Sequence, residues 1–157
     1  MKLKMKTKVC RKHTTNKEIL ELYDVNNKSN NGIKPKGLWY AIDDSWIEWC
    51  NSENFHTDSL KISYKLELDQ KKILMLNNEK KIKSFVEKYG EKMFLELDFD
   101  FLFNKTINWD KVSQDFYGIE INPYNYKFRH SLLFHNAWDV ASGCIWNKKA
   151  IKKFEKL

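Results

Sequence analysis

A change of hydrophobic period between residues 62 and 89 constrains the fold of this chain more than any other feature. In Ile62–Leu68 apolar residues alternate with polar or charged ones, which predicts a half-buried strand. Ile73–Leu76 is a short apolar run that predicts a second, more buried strand. In Glu79–Tyr89 apolar residues recur every three or four positions, which predicts a helix ending at Gly90.

The same periodicities and the positions of capping residues predict the remaining elements. Further strands are expected at Lys8–His13, Gly37–Ala41, Gly118–Ile121 and Cys144–Trp146, with an exposed loop at Asn26–Lys36. Four further helices are expected to begin after capping residues. The first follows Asn16 and points Ile19, Leu20 and Tyr23 inward, and the second follows Asp43-Asp44-Ser45 and contains Trp46, Trp49 and Cys50. The third follows Asn108 and contains Trp109, Val112 and Phe116, and the fourth follows Asn147. Because helices and strands are intermixed without regular βαβ spacing, the predicted class is α+β.

Length and hydropathy predict a soluble protein with one domain spanning residues 1–157. No apolar run approaches the roughly 20 residues that a membrane-spanning helix requires. The basic N-terminus is not followed by an apolar stretch, so we expect no signal peptide and a location in the cytoplasm of the cell or host. The three cysteines are widely separated, which argues against disulfides and a structural zinc site.

The net charge of +7 favours contact with polyanions, but the kind of cation matters. Of the 28 basic residues, only Arg11 and Arg129 are arginine. Arginine forks supply the bidentate contacts with which proteins read guanine and grip phosphate. We therefore expect weak binding of nucleic acid without sequence preference.

Two polar motifs in the first third of the chain are candidates for ligand binding. Arg11-Lys12-His13-Thr14-Thr15 lies at a predicted strand end, where its hydroxyls and imidazole can bind a nucleotide or can simply cap the next element. Gly37-Leu38-Trp39-Tyr40, followed by Ser45, places aromatic rings beside a glycine, where a planar ligand can stack or where the rings can fill the core.

Carboxylates supply the candidates for catalysis. Glu120 lies between apolar strand residues, either as a perturbed acid or on a solvent-facing edge, and Asp139 precedes Ser142 near the C-terminus. Glu96, Asp98 and Asp100 alternate with apolar residues, as on a solvated strand face or in a Mg²⁺ site. The four histidines lack the spacing of a zinc site, so no metal is expected.

In their order along the chain, these motifs resemble the ADP-ribosyltransferase-like superfamily. The segment from His13 to Leu20 resembles its HxT motif and short helix, and Gly37-Leu38-Trp39-Tyr40 resembles its Gly-aromatic strand. Phe116-Tyr117-Gly118-Ile119 is similar to a YDGI strand, with Tyr117 in place of the aspartate. Ser142-Gly143-Cys144-Ile145-Trp146-Asn147 is similar to the closing strand, but Ser142 lies near the position of the family's catalytic glutamate.

The resemblance implies a small mixed or antiparallel split sheet with short flanking helices, which binds NAD as a substrate. It implies that ADP-ribose is transferred to a macromolecular acceptor or to water, with Glu120 or Asp139 stabilising the ribosyl cation. The implied NAD-binding residues are Arg11, His13, Thr14, Thr15, Trp39, Tyr40, Ser45 and Ser142. Acceptor choice is expected to depend on the Asn26–Lys36 loop.

Two other functions compete with this one. The missing glutamate at Ser142 favours a non-enzymatic interaction protein, for example a virus-encoded factor whose basic aromatic surface binds a host protein or nucleic acid. A metal-dependent nuclease built on Glu96, Asp98 and Asp100 ranks last, because no basic catalytic partner is spaced with them.

Overall fold

A mixed sheet of seven strands forms the centre of the fold. The computed structural model describes residues 8–92 and 105–157. The strands of the chain are β1 Arg11–Thr15, β2 Leu38–Ile42, β3 Ile62–Leu68, β4 Ile73–Leu76, β5 Gly90–Lys92, β6 Lys105–Ile107, β7 Gly118–Ile121, β8 Ser142–Ile145 and β9 Ile151–Lys156. The helices in these ranges are α1 Ser45–Glu53, α2 Glu79–Tyr89, α3 Trp109–Asp115 and α4 Leu133–Asn136. Short 3₁₀ turns occur at Thr57–Ser59, Gln70–Lys72, Tyr126–Phe128 and Lys148–Ala150.

The strand order in the sheet is β4-β7-β8-β2-β1-β3-β9, and β5 and β6 form a separate antiparallel pair. Strands β4 and β7 are parallel, whereas the other neighbours in the sheet are antiparallel. The mixed sheet and its intermixed helices confirm the predicted α+β class.

Two hydrophobic clusters lie on opposite faces of the sheet, because neighbouring strand residues point to opposite sides. The first face carries Trp39, Ile119 and Cys144, and helices α2 and α3 pack against it. The second face carries Tyr40 and Ile145. The other buried members of the first cluster include Phe85, Trp109, Phe134 and Trp138, and those of the second include Ile42, Leu66, Leu68, Ile73 and Ala150.

The elements with the clearest local pattern have the predicted bounds. Helix α2 spans Glu79–Tyr89, and the Asn78 side chain accepts a hydrogen bond from the Lys81 N–H at its start. Helix α3 begins after Asn108, whose side chain accepts from the Lys111 N–H. Strands β3, β4 and β7 also match, whereas β1, β2 and β8 differ from their predicted bounds by one to three residues at each end.

The predicted helix after Asn16 is wrong. Residues 16–25 contain no helix, and the side chains of Leu20 and Tyr23, expected to point inward, are 91% and 71% exposed. Hydrogen bonds to distant residues hold this segment: the Ile19 N–H donates to Tyr64 Oη, and the Val25 N–H donates to the Trp146 carbonyl. These distant partners replace the hydrogen bonds that a helix would form internally.

The predicted C-terminal helix is also wrong. Asn147 caps only a 3₁₀ turn, and Ile151–Lys156 then forms β9, which pairs antiparallel with β3. The edge of β3 supplies backbone partners that local helix propensity cannot anticipate.

Two smaller predictions hold only in part. The loop at residues 26–36 is largely exposed as predicted, but Asn27 is only 2% exposed, and its side chain bonds the Lys36 N–H and carbonyl. Asp44 precedes α1 as predicted, but its side chain makes no capping bond and instead pairs with the Lys12 ammonium. Across the two described ranges, no helix has the length and apolar character needed to cross a membrane.

Candidate functional site

A cleft of about 290 Å³ opens between the middle of the sheet, the start of α1 and the loop before β8. Ala41 and Ser142 pair with each other and lie two positions from Trp39 and Cys144, so they point to the same, first face of the sheet. The cleft that they line therefore lies on that face. It is lined by Lys12, His13, Thr14, Lys34, Trp39, Tyr40, Ala41, Trp46, Ala137, Trp138, Asp139, Val140 and Ser142.

Indole rings form much of the cleft wall. Trp39 and Trp138 meet edge to face, with ring centroids 4.9 Å apart, and Trp46 contributes a third indole from α1. The Lys34 ammonium lies 5.4 Å from the Trp39 ring centroid, which makes a cation–π contact. Such walls suit a flat ring that stacks and a positive charge that rests on an indole face.

Among the described residues, Asp139 is the carboxylate that lines this cleft. Burial raises its pKa above the ordinary aspartate value, against the opposing effects of Lys34 and Arg129. A half-buried carboxylate in an aromatic cleft can stabilise developing positive charge and can accept a proton.

His13 contributes a neutral imidazole with a defined tautomer. Burial lowers its pKa, so the ring is neutral near pH 7. Its Nδ1 lies 2.5 Å from the Trp39 carbonyl oxygen, which only accepts, so Nδ1 carries the proton and donates. Nε2 is therefore a hydrogen-bond acceptor suited to a hydroxyl donor such as a ribose.

Glu120 lies outside the cleft lining, in a buried ionic network on the second face of the sheet. Arg11 donates from Nε to Oε2 at 2.5 Å and from Nη2 to Oε1 at 3.0 Å. Tyr40 Oη donates to the same Oε2 at 2.6 Å. The Glu120 side chain is fully buried, and burial together with this carboxylate raises the pKa of Tyr40 well above its usual value. The network keeps Glu120 away from a ligand in the cleft.

Gly143 makes this network sterically feasible. It pairs with Glu120 on one side and Tyr40 on the other, and the Tyr40 ring crosses over it to reach the carboxylate. A Cβ atom at this position would lie 2.3 Å from both Cζ and Oη of Tyr40. A glycine inside a strand often marks such a close approach, and that signal was present in the sequence.

The structure separates the predicted site residues into two groups. His13, Thr14, Trp39, Tyr40, Asp139 and Ser142 line the cleft, whereas Arg11, Thr15, Ser45 and Glu120 do not. Of those outside, the Thr15 hydroxyl accepts from the Lys17 N–H, and the Ser45 hydroxyl donates to the Ala141 carbonyl.

The cleft lining also includes residues that the sequence reasoning did not select for ligand binding, although some lie in or beside its candidate motifs: Lys12, Lys34, Trp46 and Trp138. Trp138 directly precedes Asp139, but nothing local shows that it meets Trp39, which lies 99 positions earlier. That contact depends on the pairing of β2 with β8.

Within the described ranges, no group of three or more histidine, cysteine or acidic side chains is arranged to hold a metal ion. Glu96, Asp98 and Asp100, the candidate nuclease residues, lie outside those ranges.

No protein-family model, curated protein or solved structure matches this chain.

Proposed function

We propose that the chain binds NAD by its nicotinamide riboside end in the aromatic cleft and transfers ADP-ribose to an acceptor or to water. One observation carries the proposal: residues from three separate sequence motifs line the same cleft. His13 and Thr14 come from the first, Trp39 and Tyr40 from the second, and Asp139 from the third.

The dimensions and chemistry of the cleft support this ligand. Its volume of about 290 Å³ is at the lower end for small-molecule sites, which favours enclosure of one end of a dinucleotide. The nicotinamide of NAD is a flat cation that can stack on Trp39 or Trp138. The neutral His13 imidazole can accept from a ribose hydroxyl, and Lys34 can meet a phosphate.

In the proposed reaction, the bond between the ribose C1′ and the nicotinamide nitrogen breaks. Nicotinamide leaves with the bonding electron pair, and positive charge develops on the ribose. The Asp139 carboxylate stabilises this charge and accepts the proton of the attacking acceptor or water, whose oxygen or nitrogen forms the new bond to C1′. Of the two candidate carboxylates we prefer Asp139, because Glu120 is held by Arg11 and Tyr40.

The test measures NAD binding by calorimetry and nicotinamide release, with and without cell extract as a source of acceptor. Asp139→Asn keeps the side-chain shape, and we expect it to lower turnover about a hundredfold or more with little change in affinity. Asp58→Asn, at an exposed carboxylate outside the cleft lining, is the matched control and should behave as wild type. Failure to bind NAD, or Asp139→Asn turning over at the wild-type rate, would contradict the proposal.

A second candidate function is a binding protein without catalysis. It is favoured by the non-helical segment at residues 16–25, where Leu20 and Tyr23 are 91% and 71% exposed. Large apolar side chains held this far into solvent suit contact with another macromolecule. Binding of NAD without nicotinamide release, even with extract present, would favour this function over transfer.

A further inference from the structure

A second groove, of about 560 Å³, runs between β4 and α2 and shares no lining residue with the cleft. All four residues of β4 line one side, and side chains of α2 line the other. Phe85 of α2 and Phe116, beyond α3, add apolar surface to it.

One edge of β4, the edge that faces away from β7, has no partner strand in the part of the chain that the structure describes. Strand β4 is hydrogen-bonded to β7, and no strand in residues 8–92 or 105–157 pairs with its other edge. Its sequence, Ile73-Leu74-Met75-Leu76, contains no charged residue and no proline. An edge of this kind presents free backbone donors and acceptors beside apolar side chains, which is a template for another strand.

The opposite end of the sheet differs in this respect. Strand β9 is the other edge, and Lys152, Lys153, Glu155 and Lys156 place charges along it. Charged side chains protect an edge from pairing with a further strand. The unprotected edge is therefore a property of β4 and not of the sheet in general.

Cationic side chains border the groove on its helical side. Lys81, Ser84 and Lys88 are spaced at i, i+3 and i+7, so they form one stripe along α2 with Lys80 beside it. Ser84 is small and leaves space in the middle of the stripe. Lys88 also lies 3.7 Å from Asp115, but both groups are well exposed and this pair is weak.

We propose that this groove binds an extended, acidic segment of a partner protein, which pairs with β4 as an added strand. Backbone hydrogen bonds to β4 supply affinity in this mode, and alternate side chains supply specificity. Successive residues of a strand point to opposite faces. The carboxylates of the segment therefore face Lys81 and Lys88 on the α2 side, while its apolar side chains pack beside Met75 on the other face. The lysines along α2 favour an acidic occupant because of their positive charge. The β4 edge favours an extended occupant because a strand edge forms backbone hydrogen bonds with another strand.

The probe is a labelled peptide in which valine alternates with glutamate, titrated into the full-length protein and followed by fluorescence anisotropy. We expect saturable binding that Lys81→Glu weakens about tenfold by placing like charge against the peptide. Lys152→Glu on β9 makes the same charge change outside the groove and should bind as wild type. Circular dichroism of both variants establishes that they are folded.

Two further peptides test strand addition against simple charge attraction. Each carries N-methyl groups on one of the two alternating sets of backbone amides, which removes donors without changing charge. We expect one of the two to lose binding, because only one set of amides faces β4. The proposal is overturned if both bind as well as the parent peptide, or if a valine–lysine peptide binds equally. A protein dimer that the acidic peptide dissociates would also overturn it, because the groove would then hold a second copy of this chain.

Discussion

Arg11 and Glu120 are 109 positions apart in the sequence and form a two-pronged ion pair in the interior, with donor–acceptor distances of 2.5 and 3.0 Å. Tyr40 completes the arrangement by donating to the same carboxylate. The three residues connect β1, β2 and β7, although β8 lies between β7 and β2. The network therefore spans four neighbouring strands and joins three of them through side chains.

Removing the charge of Glu120 should destabilise the fold. Glu120→Gln leaves the Arg11 guanidinium buried without its counter-charge, and we expect the free energy of unfolding to fall by about 3 kcal/mol. Tyr40→Phe removes one donor and should cost about 1 to 2 kcal/mol. Urea denaturation measures both, with Glu87→Gln on the exposed surface of α2 as the control. A Glu120→Gln variant as stable as the control would show that the ion pair contributes nothing net.

A methyl group at residue 143 should disrupt the same network by steric overlap. Gly143→Ala places Cβ 2.3 Å from the Tyr40 Cζ and Oη and 2.6 Å from the Ile119 carbonyl oxygen. We expect a loss of about 3 kcal/mol in the free energy of unfolding, because the Ile119 carbonyl belongs to the backbone of a paired strand and cannot move away from the added methyl group. Gly32→Ala is the matched control and should cost less than about 1 kcal/mol, since its Cβ would lie 3.1 Å from the Asn30 side chain and 4.0 Å from the Lys34 carbonyl oxygen. Equal stability of the two variants would refute this account.

His135 should make stability depend on pH below neutrality. Its ring is fully buried against Tyr124, and burial lowers its pKa from 6.5 to about 4. Between these values the unfolded chain binds a proton that the folded chain does not, so stability falls as the pH drops from 6.5 towards 4. The loss attributable to this group should reach about 3 kcal/mol.

Urea unfolding at steps between neutral pH and about pH 4 measures this effect. His135→Phe is the informative comparison, because it removes the titrating group without breaking a hydrogen bond: neither ring nitrogen of His135 has a partner among the described residues. The difference in stability between variant and wild type should widen in favour of the variant as the pH falls. A difference that stays constant with pH would show that His135 does not titrate as described.

Nucleic acid should bind weakly and without sequence preference. The charge of +7 comes almost entirely from lysine, which neutralises phosphate but does not read base edges as an arginine fork does. We expect dissociation constants on the order of 10⁻⁵ M that weaken steeply with added salt. Titration of two duplexes of different sequence, at low and high salt, checks this. Binding that survives high salt or discriminates between the duplexes would contradict it.

The candidate site was only partly foreseeable. The motifs containing His13, Trp39 and Asp139 were visible as local clusters of polar and aromatic residues, and the structure brings them to one cleft. The position of Glu120 was not foreseeable in the same way. Alternation alone left open an edge strand or the interior, and its 1% exposure follows from β7 lying between β4 and β8.

The sequence by itself determined the elements whose hydrophobic period is strong. Helix α2 and strand β3 have the predicted bounds because each pattern repeats within one segment, and burial of one face is favourable whatever the partner. Only the tertiary structure decided that Ile151–Lys156 is a strand, that residues 16–25 are not a helix, and that Glu120 lies with Arg11 and Tyr40. The physical reason is that these outcomes depend on backbone and charge partners far away in the chain, which a local pattern does not contain.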